Sequence, residues 1–464
     1  MNWSAPLTRP TTPTVGPNAA RAAIATWAAV WRIALYAGVV VAPSLISAWI
    51  GSDASGHTLT QQLANNLALV GFSIVALQFV VSARWKWVEW PFGLDMIFLF
   101  HRAMAVWAGS LLLAHPLLMA WGKGDWFLLT RPLIHWPIQL GRIALLTVLA
   151  LILVSIFRAS IRLDFERWRR IHNVLALGVL GLAFAHSTAI GTDFGSWPMR
   201  IVWSTFVGVG LVSYGYHRFV WPHWHRRRPY EIAEVRQESH NVWTLKLRPP
   251  EAESCCDYLP GQFHFLTLYR RQDLPVEEHP FTISSSPTQE GYRASTIKES
   301  GDFTRLMRQT RAGDRAAVRG PYGRFSYLLH PDETDLVFIA GGIGVTPLMS
   351  MLRHMRDTRS SKTVLLLFAN HIRDDILFSE ELDQIVAGGQ PRLRVVYVLS
   401  DPGADWTGER GRIDRELILR HVKEPLAGKG FYLCGPAEMN EAVTHALRGL
   451  GVPSRRIHSE RFAL

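Results

Sequence analysis

Residues 24–220 of this 464-residue chain are dominated by Leu, Val, Ala, Ile, Phe and Trp. Six runs within that stretch, approximately 24–49, 60–82, 95–120, 138–158, 168–190 and 198–220, are long enough to cross a bilayer. A hydrocarbon core of about 30 Å takes about 20 helical residues. Nothing in hydrocarbon can hydrogen-bond an open peptide group, so each run must satisfy its own backbone as a helix. The pattern predicts a six-helix transmembrane bundle.

Loop charge orients it. The N-terminal segment (Arg9, Arg21), the second loop (Arg84, Lys86), the fourth (Arg158, Arg162, Arg167, Arg169, Arg170) and the exit segment (Arg218, Arg226, Arg227, Arg228) are basic. The first loop, around Asp53, and the fifth, around Asp193, carry no Lys or Arg, and the third only Lys123 and Arg131. By the positive-inside rule both termini are cytoplasmic, in a multi-pass protein of the plasma (inner) membrane. The formal net charge of +11 comes largely from these loops, which argues against a nucleic-acid partner. The first twenty residues are polar and lack a small-residue cleavage site, so the first helix is expected to stay as an anchor. Three cysteines, Cys255, Cys256 and Cys434, with no CxxC, build neither a disulfide framework nor an iron–sulfur site.

Two of the apolar runs share a pattern. His101 and His115 lie fourteen residues apart in the third run, and His172 and His186 lie fourteen apart in the fifth. At about 100° and 1.5 Å per residue, fourteen residues return to within about 40° of the start, about 21 Å further along the axis. The third and fifth helices run in the same direction, so His101 matches His172 in depth near the inner side and His115 matches His186 near the outer side. Paired imidazoles are standard axial ligands of haem iron, and a ligand on each side leaves no open iron position. Small residues near these faces (Ala105, Ala108, Gly109, Ala176, Gly178, Val179, Ala183) leave room for macrocycles, and ordinary helix packing uses the same residues. Arg32, Arg142 and Arg200 are candidate counter-ions for haem propionates, with snorkelling to the interface as the alternative.

From Tyr230 the pattern changes to short alternating strands punctuated by Gly and Pro, which predicts a small antiparallel β-barrel. After about residue 335 strands alternate with helices, as in a parallel Rossmann-like α/β sheet. An ordered series of motifs runs through this half. His279-Pro280-Phe281-Thr282 precedes Ser284 and Ser285. Lys298 to Thr304 reads K-E-S-G-D-F-T, where Gly301 permits close backbone approach and Thr304 offers a hydroxyl to a phosphate. A buried strand then enters Gly341-Gly342-Ile343-Gly344-Val345-Thr346-Pro347, a glycine turn that aims amides and a helix N-terminus at a pyrophosphate. Cys434-Gly435-Pro436 and a terminal Glu460-Arg461-Phe462 follow.

This order of motifs resembles the membrane NADPH oxidase and ferric reductase superfamily over nearly the whole chain after about residue 22. The resemblance implies a two-haem domain at 23–221, a basic linker at 222–229, an FAD-binding barrel at 230–330 and an NAD(P)H-binding domain at 331–464, after a polar segment at 1–22. It implies that His279 to Thr282 and the following serines hold FAD. It assigns Gly341, Gly342, Gly344, Thr346 and Pro347 to NADPH or NADH, places Cys434, Gly435 and Pro436 beside the nicotinamide, and stacks Phe462 on the flavin. Cys434 and Phe462 are therefore the candidate catalytic residues. Relatives carry Asn-Arg where this chain reads Asn370-His371-Ile372-Arg373, so Arg373 is the candidate for a 2′-phosphate and the preference between the two nucleotides stays open.

The implied activity moves electrons from cytosolic NAD(P)H through FAD and two b-type haems to an outer acceptor. Dioxygen, giving superoxide, is favoured over a chelated ferric or cupric ion. His135, Trp126 and Trp136 lie in the loop nearest that acceptor, and Met119 offers oxygen no polar help. A haem-free membrane transporter or scaffold is the rival from another class, and it leaves the flavin module without an acceptor. Nothing in the sequence points to an obligatory protein partner beyond the lipid bilayer.

Overall fold

In the computed structural model, which describes residues 17–51, 58–132, 134–190, 196–250, 257–271 and 273–460, the chain divides into two compact units. One spans Ala23–Trp221 and the other takes in Pro222–Leu464. The first contains α1 (Pro17–Gly51), α2 (Leu59–Val81), a short α3 (Lys86–Glu89), α4 (Leu94–Lys123), α5 (Trp136–Phe157), α6 (Phe165–Ile190) and α7 (Trp197–Gly215). The Thr58 hydroxyl accepts from the Gln61 amide while the Gln61 side chain answers the Thr58 amide, a reciprocal cap that starts α2. Gly124, in the left-handed conformation at φ 66°, ends α4.

Among the described residues, five helices are long and apolar enough to span a membrane: Trp27–Ile50, Leu59–Val81, Leu94–Lys123, Trp136–Phe157 and Phe165–Ile190. The sixth expected span, α7, is not among them, because Arg200, Ser204, Thr205 and Ser213 dilute its apolar character. The helix also does not stop at residue 220. A π-helical turn (Tyr216–Val220) leads into α8 (Trp221–Arg227), so most of the expected linker is helical.

The core of this unit joins Leu69, Phe72, Ala76 and Phe79 of α2 to Leu180 of α6 and to Met199 and Trp203 of α7. Ala176 and Ala183 pack against it. A Cβ on Gly109 would come 2.6 Å from Ile152 of α5, and one on Gly71 would come 2.9 Å from Leu112 of α4. Packing thus accounts for most of the small residues near the histidines. Gly178 is exposed and a Cβ there meets nothing within 4 Å, which places it off the histidine face.

The second unit begins with β1 (Tyr230–Ser239), β2 (Val242–Arg248), β3 (Phe263–Tyr269), β4 (Glu278–Thr282), β5 (Arg293–Lys298) and β6 (Arg315–Tyr322). They form one antiparallel sheet in the order β4-β3-β6-β1-β2-β5. Just past β4, the Ser284 amide donates to the Ala294 carbonyl of β5 at 2.8 Å, which bridges the two edges of the sheet. Inward residues such as Ile232, Leu245, Leu247, Leu266 and Leu268 are fully buried, each contributing about 1.5–3 kcal/mol relative to exposure.

The remainder alternates: β7 (Asp335–Gly341), α9 (Val345–Asp357), β8 (Thr363–Asn370), α10 (Ser379–Gly388), β9 (Arg392–Leu399), β10 (Glu409–Arg410), α11 (Arg415–His421), β11 (Gly430–Cys434), α12 (Ala437–Gly449) and β12 (Ile457–Glu460). The strands are parallel in the order β10-β9-β8-β7-β11-β12. The order reverses between β7 and β11, and such a switch point opens a crevice beyond the carboxyl ends of the strands. Both faces carry apolar clusters, which is why β7, β8 and β11 read as continuous apolar runs.

Candidate functional site

The fold brings His101 of α4 and His172 of α6 together, with ring centroids 6.3 Å apart at an interplanar angle of 52°. Two metal–imidazole bonds of about 2.0 Å, with the depth of each ring added, span about 6 Å. The separation of the rings therefore matches that of two imidazoles on one metal ion. Trp168 Nε1 donates to Ser155 Oγ at 3.2 Å, and Ser155 in turn donates to the Leu151 carbonyl at 2.7 Å. His172 Nδ1 faces the same oxygen at 3.5 Å, which leaves Nε2 as the unshared lone pair. His101 Nδ1 is buried without a hydrogen-bond partner, an open polar atom in an apolar bundle.

The outer pair is oriented by main-chain carbonyls. His115 Nδ1 lies 2.9 Å from the Ala64 carbonyl of α2, and His186 Nδ1 lies 2.7 Å from the Pro137 carbonyl of α5. A carbonyl only accepts, so both Nδ1 atoms carry the hydrogen and both Nε2 atoms present a lone pair. His186 is within electrostatic reach of His115. Gly141 of α5 makes room for this arrangement, since a Cβ there would sit 2.6 Å from His186 Cε1 and 2.7 Å from its Nδ1. Ala64, Pro137, Gly141 and Ser155 carry no motif. Only the packing of α2 on α4 and of α5 on α6 reveals them.

The arginines have protein partners. Arg142 donates to the carbonyls of Arg131 (2.7 Å) and Leu128, which ties down the loop before α5, and only its buried Nε lacks a partner. Arg32 donates to the carbonyls of Trp87 (2.6 Å) and Ala28 (3.0 Å) and lies over the Trp90 ring. Arg200 is exposed on α7. These contacts fit loop and interface anchoring of Arg32 and Arg142, the alternative to the counter-ion reading.

In the antiparallel sheet, β4 is an edge strand, so the outward main-chain groups of His279, Pro280, Phe281 and Thr282 are not used by the ladder. They suit the polar edge of a planar ring. The His279 ring stacks on Phe303 at 4.1 Å, and its Nε2 lies 3.0 Å from Glu277 Oε2. Ser284 and Ser285 turn their hydroxyls inward. Ser284 Oγ meets Thr296 Oγ1 at 3.0 Å, while Ser285 Oγ meets Tyr258 OH at 2.9 Å and accepts from the Ala294 amide at 3.0 Å. Their carbonyls accept from Arg353 (2.5 Å) and Ser350 (2.6 Å) of α9. This segment joins the two halves of the unit, so the expected side-chain contact with a cofactor does not follow from it. Thr304 Oγ1 likewise accepts from the amides of Ser300 and Gly301, both at 2.8 Å. The loop hydroxyl shapes the turn, and the space beside Gly301 stays open. Lys298 closes β5 opposite Val242.

At the switch point the two glycine motifs meet. A Cβ on Gly341 would come 2.8 Å from both Pro436 Cδ and Met439 Sδ, and one on Gly344 would strike the Cys434 carbonyl. Gly342 adopts φ 51°. Thr346 is buried and donates to the Ile343 carbonyl at 3.0 Å, so it caps the turn, with Pro347 buried in the first turn of α9. Cys434 is fully buried, and burial, reinforced by Glu460, pushes its thiol well up. It is a small, neutral side chain of the core beneath the turn. Asn440 donates to the carbonyls of Gly435 (3.3 Å) and Glu460 (3.1 Å), joining the Cys-Gly-Pro turn to the terminal strand. Asn370, at the carboxyl end of β8, buries Oδ1 and Nδ2 without a partner, as a dinucleotide cradle requires. Arg373 is largely exposed and faces Asp405 at 3.7 Å, while His371 Nδ1 meets Ser400 Oγ at 3.0 Å. Phe462 lies outside the described residues, as do Cys255, Cys256, Asp53 and Asp193.

A glycine turn at the switch point and an open edge strand thus lie in a chain with, among the described residues, five helices long and apolar enough to cross a membrane. Known families match in the same order. Residues 67–183 match the ferric reductase like transmembrane component, 229–327 the oxidoreductase FAD-binding domain and 338–445 the oxidoreductase NAD-binding domain. The chain belongs to the NADPH oxidase and ferric reductase superfamily. Its soluble half is 31% identical over 230 residues to NADH–cytochrome b5 reductase 1 of Arabidopsis thaliana, covering 48% of this chain and 80% of that one. It is 34% identical over 225 residues to the Debaryomyces hansenii protein of the same name, covering 48% and 78%. A solved flavohem-like FAD/NAD-binding domain of nitric oxide dioxygenase from Vibrio cholerae is similar at 24% identity and TM-score 0.45, over 50% of this chain and 97% of that one.

Proposed function

We propose that this NAD(P)H-dependent membrane oxidoreductase passes electrons across the bilayer to an acceptor on the outer side. The observation that carries this reading is the His101–His172 pair at 6.3 Å, with the two outer histidines turned by carbonyls so that Nε2 is free. These donor sets fit two b-type haems, the inner on His101 and His172 and the outer on His115 and His186. The switch-point crevice fits the dinucleotide, and the open edge of β4 fits the flavin ring.

When bound, flavin takes a nicotinamide hydride and haem carries single electrons. The chain's own part is to bind and orient. His101 with His172, and His115 with His186, would each hold a haem from both sides, and haem held so would supply single-electron transfer without binding an acceptor at iron. The Gly341–Gly344 turn and the first amides of α9 receive the pyrophosphate. Exposed Pro436 would form the floor against which a nicotinamide lies, with the buried, neutral Cys434 thiol beneath the turn adding no competing charge. Asn440 ties down β12, the strand that precedes Phe462 in the sequence, and Phe462 is the residue proposed to stack on the flavin. The division at 222–229 then separates a span-bearing domain from the reductase module, with α7 as the sixth span and both termini on the cytoplasmic side.

We read dioxygen as the acceptor, with superoxide as the product. The match to a ferric reductase like component favours a second reading, reduction of a chelated metal. One spectrum and one assay test both. The purified protein is expected to show a Soret band and the split signature of six-coordinate b-type haem. A spectrum without haem supports the transporter reading. Superoxide-dismutase-sensitive reduction of cytochrome c, persisting without metals, supports the oxidase. Faster anaerobic reduction of a ferric chelate overturns it.

A further inference from the structure

A basic pocket of about 390 Å³ opens where the chain enters the second unit. It is lined by Arg226, Arg227, Tyr230, Glu231, Gly313 and Arg315, with Pro229. Two arginines come from the end of α8 and the third from the start of β6, which the pairing of Glu231 with Arg315 brings alongside. Three arginines from segments about ninety residues apart in the sequence thus line one pocket. The Arg226 guanidinium is placed by the Tyr269 ring, 5.2 Å beneath it. Glu231, the acidic group of the lining, faces Arg248 at 3.5 Å, which offsets its charge.

The neighbouring residues indicate what fills it. α8 reads W-P-H-W-H-R-R, with Trp224 59% exposed, directly after the last apolar segment. An exposed tryptophan beside arginines is the composition of a membrane–water interface. Arginines only a few residues beyond the last apolar segment would fall near headgroup depth, where planar guanidinium forks suit phosphate oxygens. We propose that this pocket binds the phosphate of an anionic lipid headgroup in the leaflet that faces the second unit. The inference rests on the apolar unit spanning the bilayer, and it is independent of which acceptor the protein reduces.

The test uses the full chain in mixed micelles of phosphatidylcholine and phosphatidylglycerol, with bound lipid read by native mass spectrometry. Phosphatidylglycerol should be retained over phosphatidylcholine. R226Q, R227Q and R315Q should each lower its retention by about fivefold, the factor expected for one juxtamembrane arginine. R228Q removes the same charge outside the pocket and should change retention less than about twofold. A loss in R228Q equal to that in R315Q means diffuse charge attraction and overturns the pocket. Equal retention of the two lipids, with inorganic phosphate alone protecting Arg315 from phenylglyoxal, assigns the site to a free anion and overturns the lipid reading. R315K, which keeps the charge but loses the planar fork, should retain lipid at a level between the unsubstituted chain and R315Q. Loss in R315K beyond that in R315Q, with flavin content unchanged, counts against a phosphate site. NADH-driven flavin reduction in the same samples reports on the proposed electron path separately.

Discussion

At the scale of single residues, the structure separates histidines with the same spacing by what holds them. His115 and His186 are turned by carbonyls, whereas His172 depends on one hydroxyl and His101 on none. His115→Leu should reduce bound haem from about two per chain to about one while NADH still reduces the flavin. Unchanged haem content in that variant refutes the ligand. Gly141→Ala forces a methyl group to 2.6 Å from the His186 ring, so the outer haem should be bound about tenfold more weakly, measured by haem retention on dilution. Arg373 faces Asp405 across 3.7 Å, and carboxylates there repel a 2′-phosphate. The chain should therefore prefer NADH. Asp405→Asn should raise kcat/KM for NADPH by about threefold, a modest gain because both groups are exposed. The spacing of the four histidines was legible because helical geometry converts it directly to face and depth. Gly141 was not, because a glycine in an apolar run has many uses until its neighbour is known.

At the scale of elements, the junction between the antiparallel sheet and α9 rests on few side chains. Arg353 donates to the Ser284 carbonyl, pairs with both Glu381 oxygens (2.9 and 2.6 Å) and lies over the Phe378 ring. Both members are mostly buried, at 13% and 24% side-chain exposure. Arg353→Met leaves the Ser284 carbonyl unmet and the Glu381 carboxylate with the longer Arg356 contact at 3.2 Å, with an expected cost of about 1–3 kcal/mol, read as earlier release of flavin fluorescence on heating. Inside the sheet, His264 of β3 is fully buried with Nε2 on Ser295 Oγ at 2.8 Å, and burial, reinforced by Arg293, lowers its pKa to about 3. The folded chain thus refuses a proton that the unfolded chain takes up below about 6.5. Its stabilising contribution is present above that pH and is lost as pH falls from about 6.5 towards 3. His264→Asn should flatten the fall of melting temperature over that range, and identical slopes in both proteins remove His264 as the cause. Strands and turns were legible from alternation and glycine. The inward hydroxyls of Ser284, Ser285 and Thr304 were not, because a motif names a residue without the direction of its side chain.

At the scale of the whole molecule, five helices meet the length and apolarity of a span and α7 falls short on composition. A bundle assembled from neighbours tolerates such a helix, since Met199 and Trp203 of α7 are buried against α2. If the basic loops mark the cytoplasmic side, NADH added to inverted membrane vesicles should drive acceptor reduction, and NADH added to intact right-side-out vesicles should not. Equal activity from both sides overturns the orientation. The amino-acid sequence alone determined the apolar runs, the fourteen-residue spacing of the histidines, and the order of the dinucleotide motifs. Each of these follows from periodicity along one helix or one strand. Only the tertiary structure decided which carbonyls orient the outer histidines, that the glycine turn and the Cys-Gly-Pro turn share one crevice, and that arginines from α8 and β6 share one pocket. Those are meetings between segments distant in sequence, and their register is set by packing, which no local pattern encodes.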